Sequence, residues 1–248
     1  MQNNNDNISD SIAYITINPK GKFLKSVQLG FQEVGLQPKY LIHVNPGKRL
    51  LAEFKKYRLG IFKKFIIPKF FQHSSNKASF SNEIVSIPIA ETIFVKKLNS
   101  DELVKILQEK KIKYLVNCGA GIFRKKLIDC PNLNIINAHA GKLPLYRNMN
   151  VVDWALYNNE PVIGTVHLVD TGIDTGNILY EEPLNLGNFN DIITARESAF
   201  DQVAKILGKV VLAFSKGEIT PKIQTVEGRN WYIMHDYFKS IYQQRINK

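Results

Sequence analysis

Cysteine is scarce in this chain. Cys118 and Cys130 are the only two in 248 residues, so no disulfide framework holds the fold, and two buried thiols in a reducing compartment are expected. Long apolar runs are missing as well. No stretch approaches the roughly 20 residues that span a bilayer, and the opening Met1-Gln2-Asn3-Asn4-Asn5-Asp6 has no apolar signal core. These absences exclude a secreted disulfide scaffold and an integral membrane protein, and they point to the cytoplasm. There is no internal repeat and no long linker. No cluster of His, Cys and Asp has metal-ligand spacing, so no metal is expected. A third glycine is also missing: Gly119-Ala120-Gly121 follows an apolar run, but position 124 is Arg. That excludes the dinucleotide fingerprint and leaves a turn where backbone can approach a ligand.

What is present is an ordinary globule with 44% hydrophobic and 22% charged residues. The length suits one large domain with a small appendage. The net charge of +11 is uneven. Residues 46–72 carry Lys48, Arg49, Lys55, Lys56, Arg58, Lys63, Lys64 and Lys69 against Glu53 alone, interleaved with Phe54, Tyr57, Phe62, Phe65, Phe70 and Phe71. One reading is one or two surface helices, apolar side inward and lysines in water; another is a docking face for a membrane surface or a large anionic partner. Charge alone does not choose among nucleotide-linked substrates, tRNA and anionic lipid.

Periodicity supplies the fold class. Ile12 to Asn18, Tyr40 to Val44, Ile84 to Val95 (interrupted by Pro88), Ile112 to Cys118 and Leu133 to Ala138 read as strands. Between them Phe23, Leu24, Val27, Phe31 and Val34 recur at helical spacing, and Ser100 caps a helix with Asp101 and Glu102 in its first turn. A short helix is expected from Phe123 to Asp129, and another with Val151, Val152, Ala155 and Leu156 inward. Val162 to Val169 and Asn177 to Leu184 form a hairpin-like edge, and Asp191 to Phe214 is a long helix. Strand and helix alternation implies an α/β, Rossmann-like, mostly parallel sheet flanked by helices. The expected divisions are a disordered tail over 1–10, a catalytic domain over 11–216, and a short C-terminal extension over 217–248 that packs on the core or on a partner subunit in a homodimer. Residues 72–82 read as a polar loop.

The stretch from Ile135 to Gly176 carries the chemistry. Asn137 and His139 sit where a buried strand runs into a loop, and Asp174 lies in a glycine-rich turn, Gly172-Ile173-Asp174-Thr175-Gly176. An amide donor, an imidazole and a carboxylate without a nucleophilic Ser or Cys suit direct acyl transfer to an amine. His167 reads as buried structure, and Trp154 reads as core packing of its helix or a substrate contact. His43, His73 and His235 carry no motif.

Asn137-Ala138-His139, Leu143-Pro144, Tyr146-Arg147 and the Asp174 turn 37 positions beyond Asn137 together resemble the folate-dependent formyltransferase family. The likeness is best from about Ile112 to Ile219 and includes Asp191-Ile192-Ile193-Thr194-Ala195-Arg196. That family includes glycinamide ribonucleotide, methionyl-tRNA and nucleotide-sugar N-formyltransferases. The resemblance implies the formyltransferase fold, catalytic roles for Asn137, His139 and Asp174, and N10-formyltetrahydrofolate as formyl donor. It places the pterin against Cys118, Gly119, Ala120, Gly121, Ile122 and Phe123 and against Thr171, Gly172 and Ile173. It makes Lys142, Tyr146, Arg147, Asn148 and Trp154 candidates for the acceptor site, with Lys142 and Arg147 suited to phosphate. Two positions depart from the family pattern. Gly141-Lys142 stands where Ser-Leu is common, and Asn148 stands where Gly is common, though Asn tolerates positive φ.

The acceptor expected from the resemblance is an amino sugar on a nucleotide diphosphate, supported by the Gln224-to-Tyr232 segment. A methionyl-tRNA formyltransferase, a formyltetrahydrofolate deformylase and a non-catalytic folate- or nucleotide-binding module are the alternatives. DNA is not an expected partner, and tRNA is a weaker one.

Overall fold

The structure is a computed structural model that describes residues 8–45 and 89–246. The expectations for the basic stretch 48–72, the loop 72–82 and the strand-like start at Ile84 lie outside the described residues.

The apolar run Ile12–Thr16 (β1) is buried at every position, which requires cover on both faces. Alternate side chains enter different cores. Ile12 and Tyr14 meet Phe31 and Leu207 on one side, while Ala13 and Ile15 meet Leu103 and Leu127 on the other. Around β1 lie Tyr40–Val44 (β2), Glu91–Val95 (β3), Tyr114–Asn117 (β4) and Asn134–His139 (β5). Ile163–Leu168 (β7) and Ile178–Pro183 (β8) complete a seven-stranded sheet, in the order β3-β2-β1-β4-β5-β7-β8. The first five are mutually parallel; β7 runs antiparallel to β5, and β8 antiparallel to β7. The α/β, mostly parallel reading therefore holds, and the hairpin-like pair around the Asp174 turn forms one edge.

Helices Lys22–Glu33 (α1), Asp101–Glu109 (α2), Lys125–Ile128 (α3), Val151–Tyr157 (α4), Ile192–Ser215 (α5) and Asp236–Ile246 (α6) accompany these strands. Ser100 caps α2 as its sequence implies, accepting from the Leu103 amide. Asp191 caps α5, accepting from the Ile193 and Thr194 amides. The short helix expected over 123–129 is confined to α3, because Phe123 turns into the second core.

The expected tail over 1–10 needs correction in its described part. Ile8 and Ser9 are in a helical turn and Ser9 is buried. The Ser9 hydroxyl accepts from the Gln37 amide, and Ser11 donates to the Ile8 carbonyl. The extension past Gly217 lies on its own chain. Lys222 bridges to Ile178, and Asn230–Trp231 (β9) pairs in parallel with Arg147–Asn148 (β6). No helix among the described residues is long and apolar enough to cross a membrane.

Two of the contacts that tie α5 to the rest are close ones. Asp153 on α4 is fully buried and is gripped by Arg196, whose Nε donates at 3.0 Å while Nη2 reaches the other carboxylate oxygen. Asn150 donates to the same carboxylate at 2.7 Å. At the α1–α5 crossing, Gly208 faces Gly30 backbone to backbone, and a methyl group on either would collide with the opposite main chain. Gly208→Ala should therefore lower stability by roughly 1–3 kcal/mol through overpacking. A urea denaturation midpoint equal to wild type would show that the helices can separate without cost.

Candidate active site

The parallel sheet ends where β7 turns back against β5. Asn137 lies directly opposite His167 in this ladder, and His139 opposite Thr165. With a period of two, Asn137 and His139 project from one face of β5, and Thr165 and His167 from the same face of β7. The chain then turns through 169–177. Asp170 braces this turn by accepting from the Gly172 amide at 3.1 Å and the Thr175 hydroxyl at 2.5 Å. Gly176 is pressed against the Leu168 carbonyl, so no side chain fits there. Asp174 takes a left-handed backbone, φ +53°, which a carboxylate side chain tolerates better than most.

This geometry brings Asp174 back over the strand ends. Its Oδ2 is 3.6 Å from His139 Nδ1, and its Oδ1 is 3.6 Å from His167 Nε2. The Asn148 amide donates to Oδ2 at 2.8 Å. Asn148 itself has φ +78°, the positive value expected where the family pattern has Gly. The three residues read from the sequence as catalytic are thus assembled, and His167 joins them.

Two side-chain amides fix the polarity of the site. The Ala120 N–H donates to Asn117 Oδ1 at 2.9 Å, so Asn117 Nδ2 donates to Asn137 Oδ1 at 2.9 Å. Asn137 must then present N–H to His167 Nε2 at 3.1 Å. At the far end, His167 Nδ1 lies 2.8 Å from the Leu168 carbonyl, which can only accept. A backbone donor at one end and a backbone acceptor at the other settle every orientation between them. Asn137 keeps a second N–H for a ligand. On the other side, His139 Nε2 donates to the Tyr146 carbonyl at 2.6 Å, leaving Nδ1 towards Asp174.

His139 is 9% exposed. Burial lowers its pKa below the ordinary value, and although the Asp174 carboxylate and the Tyr146 carbonyl oppose this, the net direction is down. For Asp174, burial alone would raise the pKa, but in the acid range where it titrates the protonated His167 and His139, with the Asn148 amide, outweigh burial and hold the carboxyl well below the usual carboxylate range.

The expected folate-binding segments divide by burial. Cys118, Ala120 and Phe123 are core residues, and burial pushes the Cys118 thiol well up. Gly119 and Gly121 are exposed at φ +80° and +109°, and no atom stands within 4 Å of where a Cβ would be on Gly119. Ile122 is 73% and Ile173 52% exposed, and Thr171 and Gly172 are open too. Open backbone beside exposed apolar side chains is what a flat heteroaromatic ligand read by main-chain groups needs.

The acceptor-side residues divide more sharply. Lys142 is exposed. Tyr146 is buried, stacked on Trp231 with ring centroids 5.2 Å apart, and its hydroxyl accepts from Asn158. Trp154 donates from its indole to the Tyr232 carbonyl and packs on Trp231 at 4.9 Å. Arg147 directs Nε and Nη2 to Gln224 Oε1, at 3.2 and 2.6 Å. Tyr146, Trp154 and Arg147 thus all meet the C-terminal extension.

Asn117, His167 and Gln224 escaped the sequence reading. Asn117 ends an apolar strand just before a glycine turn, as Asn137 ends the next one; that parallel was a usable signal. His167 shares a strand face with Thr165, two polar residues on a buried strand. Gln224 reads in sequence only as the first residue of the Gln224-to-Tyr232 segment, with no role of its own. One open groove of about 570 Å³ lies around Tyr40, Lys110 and Tyr114, and another of about 750 Å³ around Gln108, Tyr114 and Asn132, both at the opposite ends of the parallel strands, away from these groups. Among the described residues no group of three His, Cys, Asp or Glu could hold a metal ion.

The His139 shift has a pH signature. The unfolded chain takes up the proton near pH 6.5, whereas the folded imidazole resists it to lower pH. Stability from this group is complete above that value and declines as pH falls towards the folded pKa. Wild-type urea midpoints should fall between pH 7.5 and 5.5 more steeply than those of His139→Gln. Equal slopes would mean that His139 titrates normally.

A sequence profile for the family described as formyl transferase matches residues 63–211. A methionyl-tRNA formyltransferase of Thermodesulfovibrio yellowstonii is 32% identical over 133 residues, covering 53% of this chain and 43% of that protein. The chain spans less than half the length of this and a second such relative. Among solved structures, a sugar N-formyltransferase from a Shewanella species superposes with TM-score 0.57 at 15% identity, over 95% of this chain and 87% of that one. The formyltransferase PseJ from Anoxybacillus kamchatkensis, in complex with UDP-4,6-dideoxy-4-formamido-L-AltNAc and tetrahydrofolate, gives 0.51 at 15% identity, over 93% and 89%.

Proposed function

The chain belongs to the formyl transferase family, and from that membership we propose that it moves a formyl group from N10-formyltetrahydrofolate to a primary amine. The observation that carries the proposal is the Asp174 carboxylate held at 3.6 Å from both His139 and His167, beside an Asn137 amide with one N–H to spare.

Each group has a task in that reaction. Asn137 directs its free N–H at the formyl oxygen, where negative charge grows as the amine attacks. Asp174, ionised at neutral pH, takes a proton from the attacking nitrogen, directly or through one water. His139 offers its Nδ1 lone pair to that same proton, and the imidazolium so formed is held between the carboxylate and the Tyr146 carbonyl. The pair returns the proton to the departing N10 nitrogen, as the bond from the formyl carbon to N10 breaks and that to the amine remains. No side chain need form a covalent bond, because holding the two substrates together already supplies several kcal/mol. The exposed backbone of 119, 121 and 122 and of 171–173 fits the folate.

For the acceptor, the reading that fits best is the amino group of a nucleotide-diphosphate sugar. Its support is the structural likeness over 95% of this chain to a sugar N-formyltransferase. Lys142, exposed next to the site, suits a phosphate. The sequence relatives favour a second reading, methionyl-tRNA as acceptor. A cytoplasmic setting suits both.

The test is to supply N10-formyltetrahydrofolate with nucleotide-linked 3-amino and 4-amino sugars, with methionyl-tRNA, and with no amine, and to weigh the acceptors. One formyl added to a nucleotide sugar is expected. Formyl on tRNA alone would establish the second reading; folate hydrolysis without any amine would make the protein a deformylase. In the productive assay Asn137→Ala should lower kcat by about 10²–10³-fold, with Asp174→Asn at least as severe. Wild-type turnover in either variant would remove these residues from the chemistry.

A further inference from the structure

The C-terminal extension reaches the site through one side chain. Gln224 Nε2 donates to the carbonyls of Asp174 at 3.0 Å and Gly176 at 2.7 Å. Its Oε1 accepts both Arg147 Nε and Nη2. A primary amide has two N–H groups and two lone pairs, and all four are used here, so its orientation is unambiguous. Arg147 is hemmed in by Gly228 on the same extension, where a Cβ would strike its guanidinium carbon or the Pro144 carbonyl. The Arg229 amide donates to the Pro144 carbonyl, the Arg147 amide to the Arg229 carbonyl, and the Trp231 indole to the Leu145 carbonyl.

The two pieces of the site meet at this amide. Arg147 lies on the loop that carries Tyr146, whose carbonyl accepts from His139, and Asn148, whose amide holds the Asp174 carboxylate. The Asp174 carbonyl lies on the facing turn, whose backbone is left-handed at that residue. The turn's own bonds brace its start, through Asp170, while on its far side, among the described residues, Gln224 holds the Asp174 and Gly176 carbonyls.

We propose that Gln224 and Arg147 are positioning residues that set the distance between Asp174 and His139, and that the extension thereby completes the site. Arg147 acts through Gln224, and its guanidinium is not the phosphate ligand that its sequence position suggests. The proposal deepens the transferase reading and rests on it for the catalytic consequence, whereas the positioning itself does not.

The experiment reads the coupling of the two groups without folate. His139 faces Asp174, His167 and the Tyr146 carbonyl, so its titration by NMR reports where the carboxylate lies. In the otherwise unaltered protein, Asp174→Asn should move the His139 titration down by about one pH unit or more. In a Gln224→Met background the same change should move it by less than half as much, because the carboxylate has already drifted. Gln224→Met carries no charge change, so a direct field effect is absent. Gln224→Asn, a methylene short but still an amide, should behave likewise, and serves if the methionine variant does not fold. An undiminished shift in both backgrounds would overturn the proposal. In the transfer assay the Gln224 variants should lose kcat at least about tenfold with little change in KM, the pattern of a misplaced reacting group. Loss of coupling in a protein with no transfer activity would leave the positioning standing and refute the transferase reading; full coupling with transfer activity would do the reverse.

Discussion

A carboxylate largely withdrawn from water needs partners, and the arrangement of this site follows from supplying them to Asp174. An ionised group taken from water is costly unless charges and donors face it. Here the return of β7 against β5 sets His167 opposite Asn137, so that the imidazole stands ready when the chain turns back. His139 comes from the end of β5, and the Asn148 amide from the loop beyond it. If β7 had continued the parallel order, a crossover would have taken the chain over a face of the sheet, and the Asp174 turn would not lie beside Asn137. The change from parallel to antiparallel is thus the structural event that makes a site.

Around that carboxylate the hydrogen bonds run in a fixed direction. Backbone groups at Ala120 and Leu168 anchor the two ends of the Asn117, Asn137 and His167 chain, which keeps one amide N–H of Asn137 uncommitted. His139 is anchored by the Tyr146 carbonyl. Donors already oriented before a ligand arrives need no reorganisation when charge develops, which is the main source of electrostatic catalysis. The cost is carried by the surrounding packing. Tyr146 is clamped by Trp231, and α4 is pinned to α5 through the buried Asp153–Arg196 pair.

The fold was legible because each apolar run is short and bounded by glycine, proline or polar residues. β1, β2, β4 and β5 lie where the periodicity put them, and the cap at Ser100 acts as read. The catalytic trio was legible because its spacing matches a known pattern. Long-range partners were not. Arg147 and Tyr146 were read as acceptor candidates from the resemblance; that residues 224–231 fold back over them was not legible, because no local rule foretells a contact across nearly eighty positions. His167 was read as buried structure, and it is buried; strand register, which sequence does not give, makes it a neighbour of Asp174. The first residues of the described chain, read as tail, pack because Ser9 finds the Gln37 amide.

The central claim is that folate chemistry happens at the end of β5 under Asp174. Titrating the ¹⁵N-labelled protein with tetrahydrofolate tests it most directly. The account predicts that amide shifts concentrate at Gly119, Gly121, Ile122 and Thr171 to Asp174, with the His139 ring resonances moving too. Shifts confined to the grooves around Tyr40, Lys110 and Tyr114 at the other end of the sheet, or no saturable shifts at all, would contradict it.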